Sequence, residues 1–347
     1  MDEKPGASRR EALGILGAVP LMAAAATAST ATTVRAQTAS RPPVEPDARV
    51  PPLTLVSRHI QFAEPNKGIE IAKTAGFGGI AWTIRGGAHI EVPNAKRDLK
   101  PIVDATRAAG LLTPMIITQV NGSSPENEAL LGAMRESGIR RYRLGTQGYD
   151  LTKEIQPQFD AVRRRMDEIA KMNERHDALA MFHTHSGGAI GGAGWDMWML
   201  VKDYDPRYIG INYDIGHTTV KGGKSVPEQM RAMHKHIHAM SVKDFHWIKR
   251  PNAAPNTWAW TNEFVPPGEG MVNFWDAFTY LKSINWTGPL EQYFEYTVPI
   301  PGTDRKMNML GTNYKQWQLE IPENQFSAYL KRDVDFYKDV MRKCGYV

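Results

Sequence analysis

Beyond residue 52, the chain alternates short apolar runs with longer segments in which apolar residues recur at helical spacing. The short runs predict β-strands, and the longer periodic segments predict α-helices. The strand candidates are 53–62, 77–84, 112–120, 139–145, 178–185, 208–217, 237–245 and 288–296. The helix candidates are 65–75, 97–109, 125–136, 157–176, 227–236, 273–284 and 323–343. Asn273 suits a helix N-cap, and Gly76, Gly110 and Gly138 suit the ends of helices.

Each strand candidate is followed by a helix or a long connection, which is typical of parallel βαβ units. Eight such units over roughly 290 residues favour an α/β fold, a (β/α)8 TIM barrel formed by a single domain. This domain would span 53–345, with long loops after strands seven and eight. A doubly wound open sheet is the alternative. Neither GxGxxG nor GxxxxGKS/T follows the first strand, so the usual signature of a nucleotide-binding sheet is absent.

The segment before the barrel is typical of a targeting sequence rather than of a folded element. Residues 1–36 begin with the basic pair Arg9 and Arg10, continue through an apolar stretch rich in Ala, Leu and Gly, and end at Ala36. This order indicates an export signal, and Ser-Arg-Arg-x-x-Leu resembles the twin-arginine type. We therefore expect a periplasmic protein without a stable membrane anchor. Residues 37–52 are polar and rich in proline, which predicts a disordered leader.

Charge and cysteine content exclude several classes of function. The chain has 42 Lys and Arg against 37 Asp and Glu, a net charge of +5, and no run of basic residues. Nucleic acid is therefore not an expected partner. Cys344 is the single cysteine, which excludes an internal disulfide and a metal site built from several cysteines. The sequence leaves open whether the protein forms a homo-oligomer.

Polar residues gather at the predicted carboxyl ends of strands five to eight. His183 and His185 stand two apart, so both point to the same side of strand five. Barrel enzymes carry their reactive groups at these strand ends, whereas Val, Ile and Leu normally fill the barrel interior. The other members of the set are Asp214 and His217 on strand six, Lys243 and His246 on strand seven, and Glu291 and Glu295 on strand eight.

Imidazole and carboxylate groups together suit one divalent metal ion, which we expect to be Mn, Zn, Fe, Co or Ni. Such an ion polarises a carbonyl group and stabilises the enediolate that forms when the neighbouring carbon loses a proton. A base within hydrogen-bond reach must take that proton. Lys243 would point into the barrel, where a lysine without a partner is costly, so we expect a carboxylate or metal-bound group beside it.

Four motifs at these positions resemble a known family. They are YDIGH (213–217), VKDF (242–245), PPGEGMV (266–272) and GPLEQYFEY (288–296). Together they resemble the xylose-isomerase-like TIM barrels described as sugar phosphate isomerases/epimerases. The likeness covers residues 53–345 and is strongest over 180–296. The stretch FHTHSGG at 182–188 looks like an exported subgroup whose strand five carries Tyr/Phe-His-x-His.

The resemblance implies one metal ligand from each of strands five to eight. His217 matches a substrate-binding histidine of the family. Ser241 stands where strand seven of the family carries a histidine ligand, which leaves a fourth ligand to His185, His246 or water. Carried over by position, the ligand places of strands five, six and eight fall on His183, Asp214 and Glu295.

Several of these residues have a second interpretation. Asp214 also suits a helix N-cap, because Gly216 follows it. Arg143 contacts either a substrate hydroxyl or a protein carboxylate. The tryptophans in the long loop after strand seven either stack on a sugar or pack the loop. Glu291 is an alternative to Glu295 for the ligand place of strand eight. The catalytic candidates are Lys243, His217 and His185, and the substrate-binding candidates are Arg143, His246, Trp258, Trp260 and Glu291.

The predicted function is a metal-dependent isomerase or epimerase that removes a proton beside the carbonyl of a sugar. Export favours a non-phosphorylated sugar or keto-sugar as the small-molecule carbohydrate partner, since sugar phosphates are mainly cytoplasmic. A lyase acting on 3-keto-glycosides would use the same site. A sugar-binding barrel without activity is a further alternative, favoured by Ser241 in place of histidine. The modest charge disfavours an endonuclease.

Overall fold

The computed structural model describes residues 49–310 and 317–346. These residues belong to one compact unit, Ser40–Val347. The expected export signal and residues 37–48 of the expected leader lie outside the described residues. At the end of that leader, the Pro52 carbonyl accepts a hydrogen bond from the Leu290 N–H at 3.0 Å. None of the described helices is long and apolar enough to cross a membrane.

Eight parallel strands close into a barrel in the order β1-β10-β7-β6-β5-β4-β3-β2. The strands of the described residues, numbered along the chain, are β1 Leu53–Val56, β2 Gly79–Thr83, β3 Met115–Ile117, β4 Arg141–Arg143, β5 Leu179–His183, β6 Ile209–Asp214, β7 Ile237–Val242, β8 Asp244–Pro251, β9 Trp258–Val265, β10 Leu290–Gln292, β11 Thr297–Pro299 and β12 Lys306–Asn308. The first strand pairs in parallel with both β2 and β10. This closure confirms the (β/α)8 TIM barrel and excludes the open sheet.

The α-helices of the described residues are α1 Pro65–Ala75, α2 Ala95–Ala108, α3 Pro125–Glu136, α4 Ile155–His176, α5 Gly194–Val201, α6 Ile215–Gly222, α7 Val226–Met233, α8 Phe274–Ser283 and α9 Glu323–Lys343. All seven predicted helices are present, but α5 and α6 were not predicted. Asn273 caps α8 as expected, because its side chain accepts a hydrogen bond from the Asp276 N–H at 3.0 Å. Gly76, Gly110 and Gly138 take positive φ angles of 90°, 82° and 77°.

The start of α6 explains why the predicted strand 208–217 was too long. The strand ends at Asp214, whose Oδ1 accepts a hydrogen bond from the His217 N–H at 2.8 Å. This contact is an N-cap, so the helix begins at Ile215. The apolar run continues past the end of the strand because Ile215 is a buried helix residue. Apolarity alone does not separate the two elements here.

Alternation of side chains along the strands produces two apolar layers. Outward-facing residues such as Leu55, Ile80 and Ile211 join the large core between the barrel and its helices. A second, smaller cluster fills the inside of the barrel, and its members are Val56, Ala81, Met115, Ile117, Leu179, Met181, Ala239 and Tyr293. Polar inward-facing residues that follow this cluster along β4 to β7 and β10 therefore lie at the mouth of the barrel.

The long segment after β7 contains an antiparallel hairpin instead of an unstructured loop. β8 and β9 pair from Asp244 opposite Val265 to Pro251 opposite Trp258. The Asp244 carboxylate fixes the base of this hairpin, because it accepts hydrogen bonds at 2.9–3.1 Å from the backbone N–H groups of Phe245, Gly268, Gly270 and Val272. A second hairpin, β11 with β12, follows the last barrel strand.

Candidate active site

Asp214 connects the barrel to the polar cluster at its mouth. Its Oδ1 caps α6, which leaves Oδ2 directed at His183 Nε2, 3.2 Å away, and at Lys243 Nζ, 3.0 Å away. The side chain is fully buried. Burial is the largest influence and disfavours the charged carboxylate, but the Lys243 ammonium and the contacts of His217 together outweigh it and hold the pKa of Asp214 below its usual value. The N-cap and the charged-site interpretations of this residue are therefore compatible.

Lys243 lies at the centre of the cluster and is 2% exposed. Its Nζ is 2.7 Å from His217 Nε2, 2.8 Å from Glu295 Oε1 and 3.0 Å from Asp214 Oδ2. An ammonium group has three N–H donors, so each one has an acceptor. The faces of Phe264 and Tyr293 lie 5.1 and 4.9 Å from the same nitrogen. The partners expected for an inward lysine are thus two carboxylates and an imidazole.

The contacts of His217 define its tautomer. Since Lys243 donates to Nε2, the proton of the neutral ring is on Nδ1, which donates to the Ser186 hydroxyl at 2.8 Å. Burial and then the positive charge of Lys243 hold the pKa of His217 well below its usual value. The imidazole is therefore neutral at physiological pH.

His185 lies at the barrel mouth with its Nδ1 turned to the backbone. Its Nδ1 lies 2.9 Å from the Ser186 carbonyl, which only accepts, so Nδ1 carries a proton, and the lone pair of the neutral ring is on Nε2. The ring lies 4.0 Å from the His217 ring, between centroids, with an interplanar angle of 33°. Unlike His183, which is 5% exposed, His185 is only partly buried. Geometry therefore favours His185 as the group that meets a substrate.

Strand β10 and the segment that follows it place Glu291 and Glu295 in two different layers of the barrel. Glu295 reaches Lys243, whereas Glu291 is fully buried below it, where Asn212 Nδ2 donates to its Oε2 and the Ser241 hydroxyl lies 3.0 Å from the same oxygen. Burial raises the pKa of Glu291. The structure thus brings Glu295, and not Glu291, to the cluster.

Tyr293 forms the floor of the site between these layers. Arg143 Nη1 donates to its hydroxyl, and the guanidinium carbon lies 5.9 Å from the ring centroid. The ring also stacks on His183, with centroids 6.2 Å apart and an interplanar angle of 29°. The structure therefore ties Arg143 to the floor of the site through a tyrosine. Tyr293 was not among the site residues predicted from the sequence, although it stands two residues from both Glu291 and Glu295.

The hairpin supplies a wall that the sequence did not predict. Phe264 on β9 packs edge-on against the His217 ring at 5.6 Å, and no local sequence signal marks it. His246 lies opposite Glu263 on the other hairpin face, away from Phe264. Trp258 and Trp260 are 56% and 64% exposed. They stand six and four residues before Phe264 on the same strand, so all three side chains lie on one face of the hairpin.

The donor set does not fit a divalent metal as it is arranged. Residues 49–310 and 317–346 contain no group of three or more His, Cys, Asp or Glu side chains spaced to hold a metal ion. Of the three predicted ligands, Asp214 and Glu295 pair with the Lys243 ammonium at 3.0 and 2.8 Å, and His183 Nε2 lies 3.2 Å from Asp214 Oδ2. Metal–ligand bonds are shorter, about 2.0–2.2 Å. A dication about 3.5 Å from the ammonium would be repelled by about 9 kcal/mol at an effective dielectric constant of about 20.

Comparisons with solved structures show the same fold at low sequence identity. A xylose isomerase domain protein from Planctomyces limnophilus is 13% identical, with a TM-score of 0.59 over 87% of this chain and 100% of that chain. The IOLI protein, in a structure with a zinc atom, is 12% identical, with a TM-score of 0.60 over 84% and 98%. The 3-keto-D-glucoside 4-epimerase from E. coli is 12% identical, with a TM-score of 0.54 over 78% and 94%.

The sequence itself decides the family. Comparison with the curated proteins finds no match. The family described as xylose isomerase-like TIM barrel matches residues 69–310, which is most of the chain. This range includes β2 to β10 and every residue of the polar cluster at the barrel mouth. The chain therefore belongs to the xylose isomerase-like TIM barrel family.

Proposed function

We propose that this protein is an enzyme that removes a proton from the carbon beside the carbonyl of a non-phosphorylated sugar or keto-sugar. A proton then returns to the neighbouring carbon, which makes the reaction an isomerisation, or to the opposite face of the same carbon, which makes it an epimerisation. The observation that carries this proposal is that one barrel mouth holds both His185, whose Nδ1 faces the Ser186 carbonyl, and the buried Lys243, which contacts the His217 ring beside it. A base and an electrophile are the two groups that enolisation needs.

The proposed step uses three side chains. His185 Nε2 takes the proton as the C–H bond breaks, and that electron pair forms the new C=C bond. The π electrons of the carbonyl move to its oxygen, and the positive charge of Lys243 stabilises the resulting enolate. His217 keeps Lys243 in place through its Nε2 and is itself fixed by Ser186.

Glu295 provides a second group for returning the proton. Its side chain is 15% exposed, and it stands on the opposite side of β6 and β7 from His185 in the strand order. A substrate between them would meet an acid or base group on each face. Epimerisation delivers a proton to the face opposite to the one from which the first proton left. Glu295 supplies that proton only as the carboxylic acid, so this reaction starts from protonated Glu295 and neutral His185 and ends with the carboxylate and the imidazolium.

The choice of a non-phosphorylated substrate rests on charge and export. Two carboxylates, Asp214 and Glu295, belong to the cluster and would repel a phosphate group. No glycine-rich phosphate-binding motif follows the first strand. Export through a twin-arginine signal at residues 1–36, as in the Phe-His-x-His subgroup, belongs to the same proposal. Amino-terminal sequencing of the periplasmic protein tests it, and a mature protein that begins at Met1 in the cytoplasm contradicts it.

A lyase is the second candidate, because elimination from a 3-keto-glycoside begins with the same proton abstraction. Lys243 and His185 would act as before, and the enolate would expel the glycosidic oxygen instead of taking back a proton. The metal ion expected from the resemblance is left out of both reactions, because two of its predicted ligands, Asp214 and Glu295, are paired with the Lys243 ammonium.

The test is exchange of substrate C–H for deuterium in deuterated water, followed by NMR over a panel of aldoses, ketoses and 3-keto-glycosides. We expect deuterium to enter beside the carbonyl of one panel member, and His185→Gln to lower its rate about 100-fold or more. The product identifies the reaction: a new stereoisomer indicates an epimerase, and a released alcohol indicates a lyase. Binding without any exchange by the native enzyme contradicts the proposal and leaves the sugar-binding alternative.

A further inference from the structure

The ammonium of Lys243 is held in a way that resembles a bound ion. Its three acceptors come from three elements: His217 from α6, Asp214 from the end of β6 and Glu295 from the segment after β10. All three distances lie between 2.7 and 3.0 Å, within the range of charge-assisted hydrogen bonds. The cation therefore completes a cage that is built from distant parts of the chain.

Two of these three acceptors are the residues that the family resemblance assigns to metal binding. Asp214 and Glu295 hold the ligand places of strands six and eight, yet both are paired with the lysine. The ligand place of strand seven holds Ser241, whose hydroxyl lies 3.0 Å from Asn212 Oδ1 and from Glu291 Oε2. The ligand place of strand seven thus holds neither imidazole nor carboxylate, while Lys243, two residues further on, is paired with the ligand places of strands six and eight.

Packing holds the lysine stem at this position. Gly216 approaches so closely that a Cβ there would lie 2.7 Å from Lys243 Cγ and 2.9 Å from the Lys243 carbonyl. The rings of Phe264 and Tyr293 also lie close to its nitrogen, at 5.1 and 4.9 Å. The side chain is 2% exposed, so the ammonium does not reach solvent. Only a glycine at position 216 permits this approach.

We propose that the Lys243 ammonium permanently takes the place of the divalent metal, and that the site works without a metal ion. This inference rests on the proposed proton abstraction only for its activity readout. In that reaction the ammonium receives the enolate oxygen, and Glu295, its most exposed acceptor, yields one N–H to that oxygen. No electrons beyond those of the substrate are needed. His185 accepts the proton that leaves and returns it in an isomerisation, whereas Glu295 supplies the returning proton in an epimerisation.

The test begins with metal binding, which requires no substrate. The full chain is treated with a chelator and then titrated calorimetrically with Zn²⁺ and with Mn²⁺. The native protein is expected to take up neither ion at this site. Lys243→Ala vacates the point on which His217, Asp214 and Glu295 converge, and it is expected to gain a stoichiometric Zn²⁺ site. Lys331→Ala, an exposed lysine on α9, is the matched control and should behave like the native protein.

The second measurement is deuterium exchange by the chelator-treated native protein on the substrate identified above. Exchange should continue at the untreated rate, and Lys243→Met should lower it about 100-fold or more. Stoichiometric binding of Zn²⁺ or Mn²⁺ by the native protein, lost in Asp214→Asn, would overturn the inference while the proposed function stands. Failure of both the native protein and a folded Lys243→Ala variant to bind metal would also overturn it.

The two proposals fail separately. If the native protein exchanges no C–H with or without added metal, the proposed function is wrong, but the metal titrations still decide the role of Lys243. If circular dichroism shows that Lys243→Ala does not fold, the inference is tested on the native protein alone. Stoichiometric metal binding by the native protein then contradicts the inference, and deuterium exchange after chelator treatment supports it.

Discussion

At the scale of single residues, Asp214 carries two tasks with two oxygens. Oδ1 caps α6 through the His217 N–H, and Oδ2 pairs with Lys243. An asparagine keeps the capping oxygen, because its amide oxygen accepts the same hydrogen bond. It removes the negative charge that balances the buried ammonium. The two tasks are therefore separable by one substitution.

Asp214→Asn is expected to lower the exchange rate about 100-fold and the free energy of unfolding by about 3 kcal/mol, because a buried charge loses its partner. Urea unfolding and deuterium exchange measure the two effects. Asp335→Asn, which breaks an exposed ion pair with Lys331, is the matched control and should change little. Native-like unfolding of Asp214→Asn would show that the ion pair does not contribute to stability.

At the scale of elements, the hairpin of β8 and β9 determines the outer shape of the site. Its base is held by the Asp244 carboxylate, and Gly270 is required there because a Cβ would lie 2.1 Å from Asp244 Oδ1. The hairpin places Phe264 against His217. A change at its base therefore reaches the site through Phe264 without touching the reacting groups.

Asp244→Ala leaves four backbone N–H groups without their acceptor. We expect the free energy of unfolding to fall by about 3 kcal/mol and amide hydrogen exchange to rise over 266–272. Mass spectrometry of amide exchange measures this, and Asp276→Ala at the start of α8 provides a control. Unchanged protection over 266–272 would mean that other contacts hold the hairpin base.

The exposed tryptophans of the hairpin remain predicted sugar contacts. Trp258 and Trp260 lie on the same hairpin face as Phe264. At the base of the hairpin this face meets the barrel mouth, where Phe264 packs against His217. Replacing both by alanine should raise KM about 30-fold and leave kcat unchanged, since each stacking contact is worth about 1 kcal/mol. Steady-state kinetics measure this. Trp275→Ala on α8, also half exposed, should leave KM unchanged, and an unchanged KM in the double variant contradicts the stacking role.

At the scale of the whole molecule, His59 connects the segment after the first barrel strand with segments that follow the last one. It follows β1, its Nδ1 donates to the Met309 carbonyl at 3.0 Å, and its Nε2 accepts from the Phe294 N–H at 3.3 Å. The ring is fully buried, and burial lowers the pKa of His59 to about 3 from an ordinary value of 6.5. His59 thus links the segment after β1 to the segments after β10 and β12 as a neutral imidazole.

The depressed pKa of His59 predicts acid sensitivity. Above pH 6.5 the folded and unfolded states both hold the ring neutral, so stability is complete. As the pH falls from 6.5 towards 3, the unfolded state takes up the proton first, and the free energy of unfolding falls by about 1.4 kcal/mol per pH unit. His59→Gln should remove this contribution, so its stability deficit should shrink between pH 7 and pH 5. Urea midpoints at both values measure it, and a constant deficit would contradict the assignment.

Most of the fold was predictable from the sequence because its signals are local. The periods of strands and helices identified eight strands and seven helices, including α1, α3 and α9 at their observed bounds. The signals failed where one apolar run served two elements, as at Ile215. They also failed where polar and aromatic residues formed a hairpin, since β8 and β9 are stabilised mainly by each other.

The sequence by itself determined which residues face the barrel interior, because side chains alternate along a strand whatever its surroundings. It also determined that polar groups collect at one mouth of a closed barrel. Only the tertiary structure decided which of these groups meet. His217 and Glu295 stand 26 and 52 residues from Lys243, and their contacts with its ammonium depend on how β6, β7 and β10 are staggered in the closed sheet. Spacing along the chain does not encode that stagger, so a sequence suited to a metal ion produced a cage around a lysine.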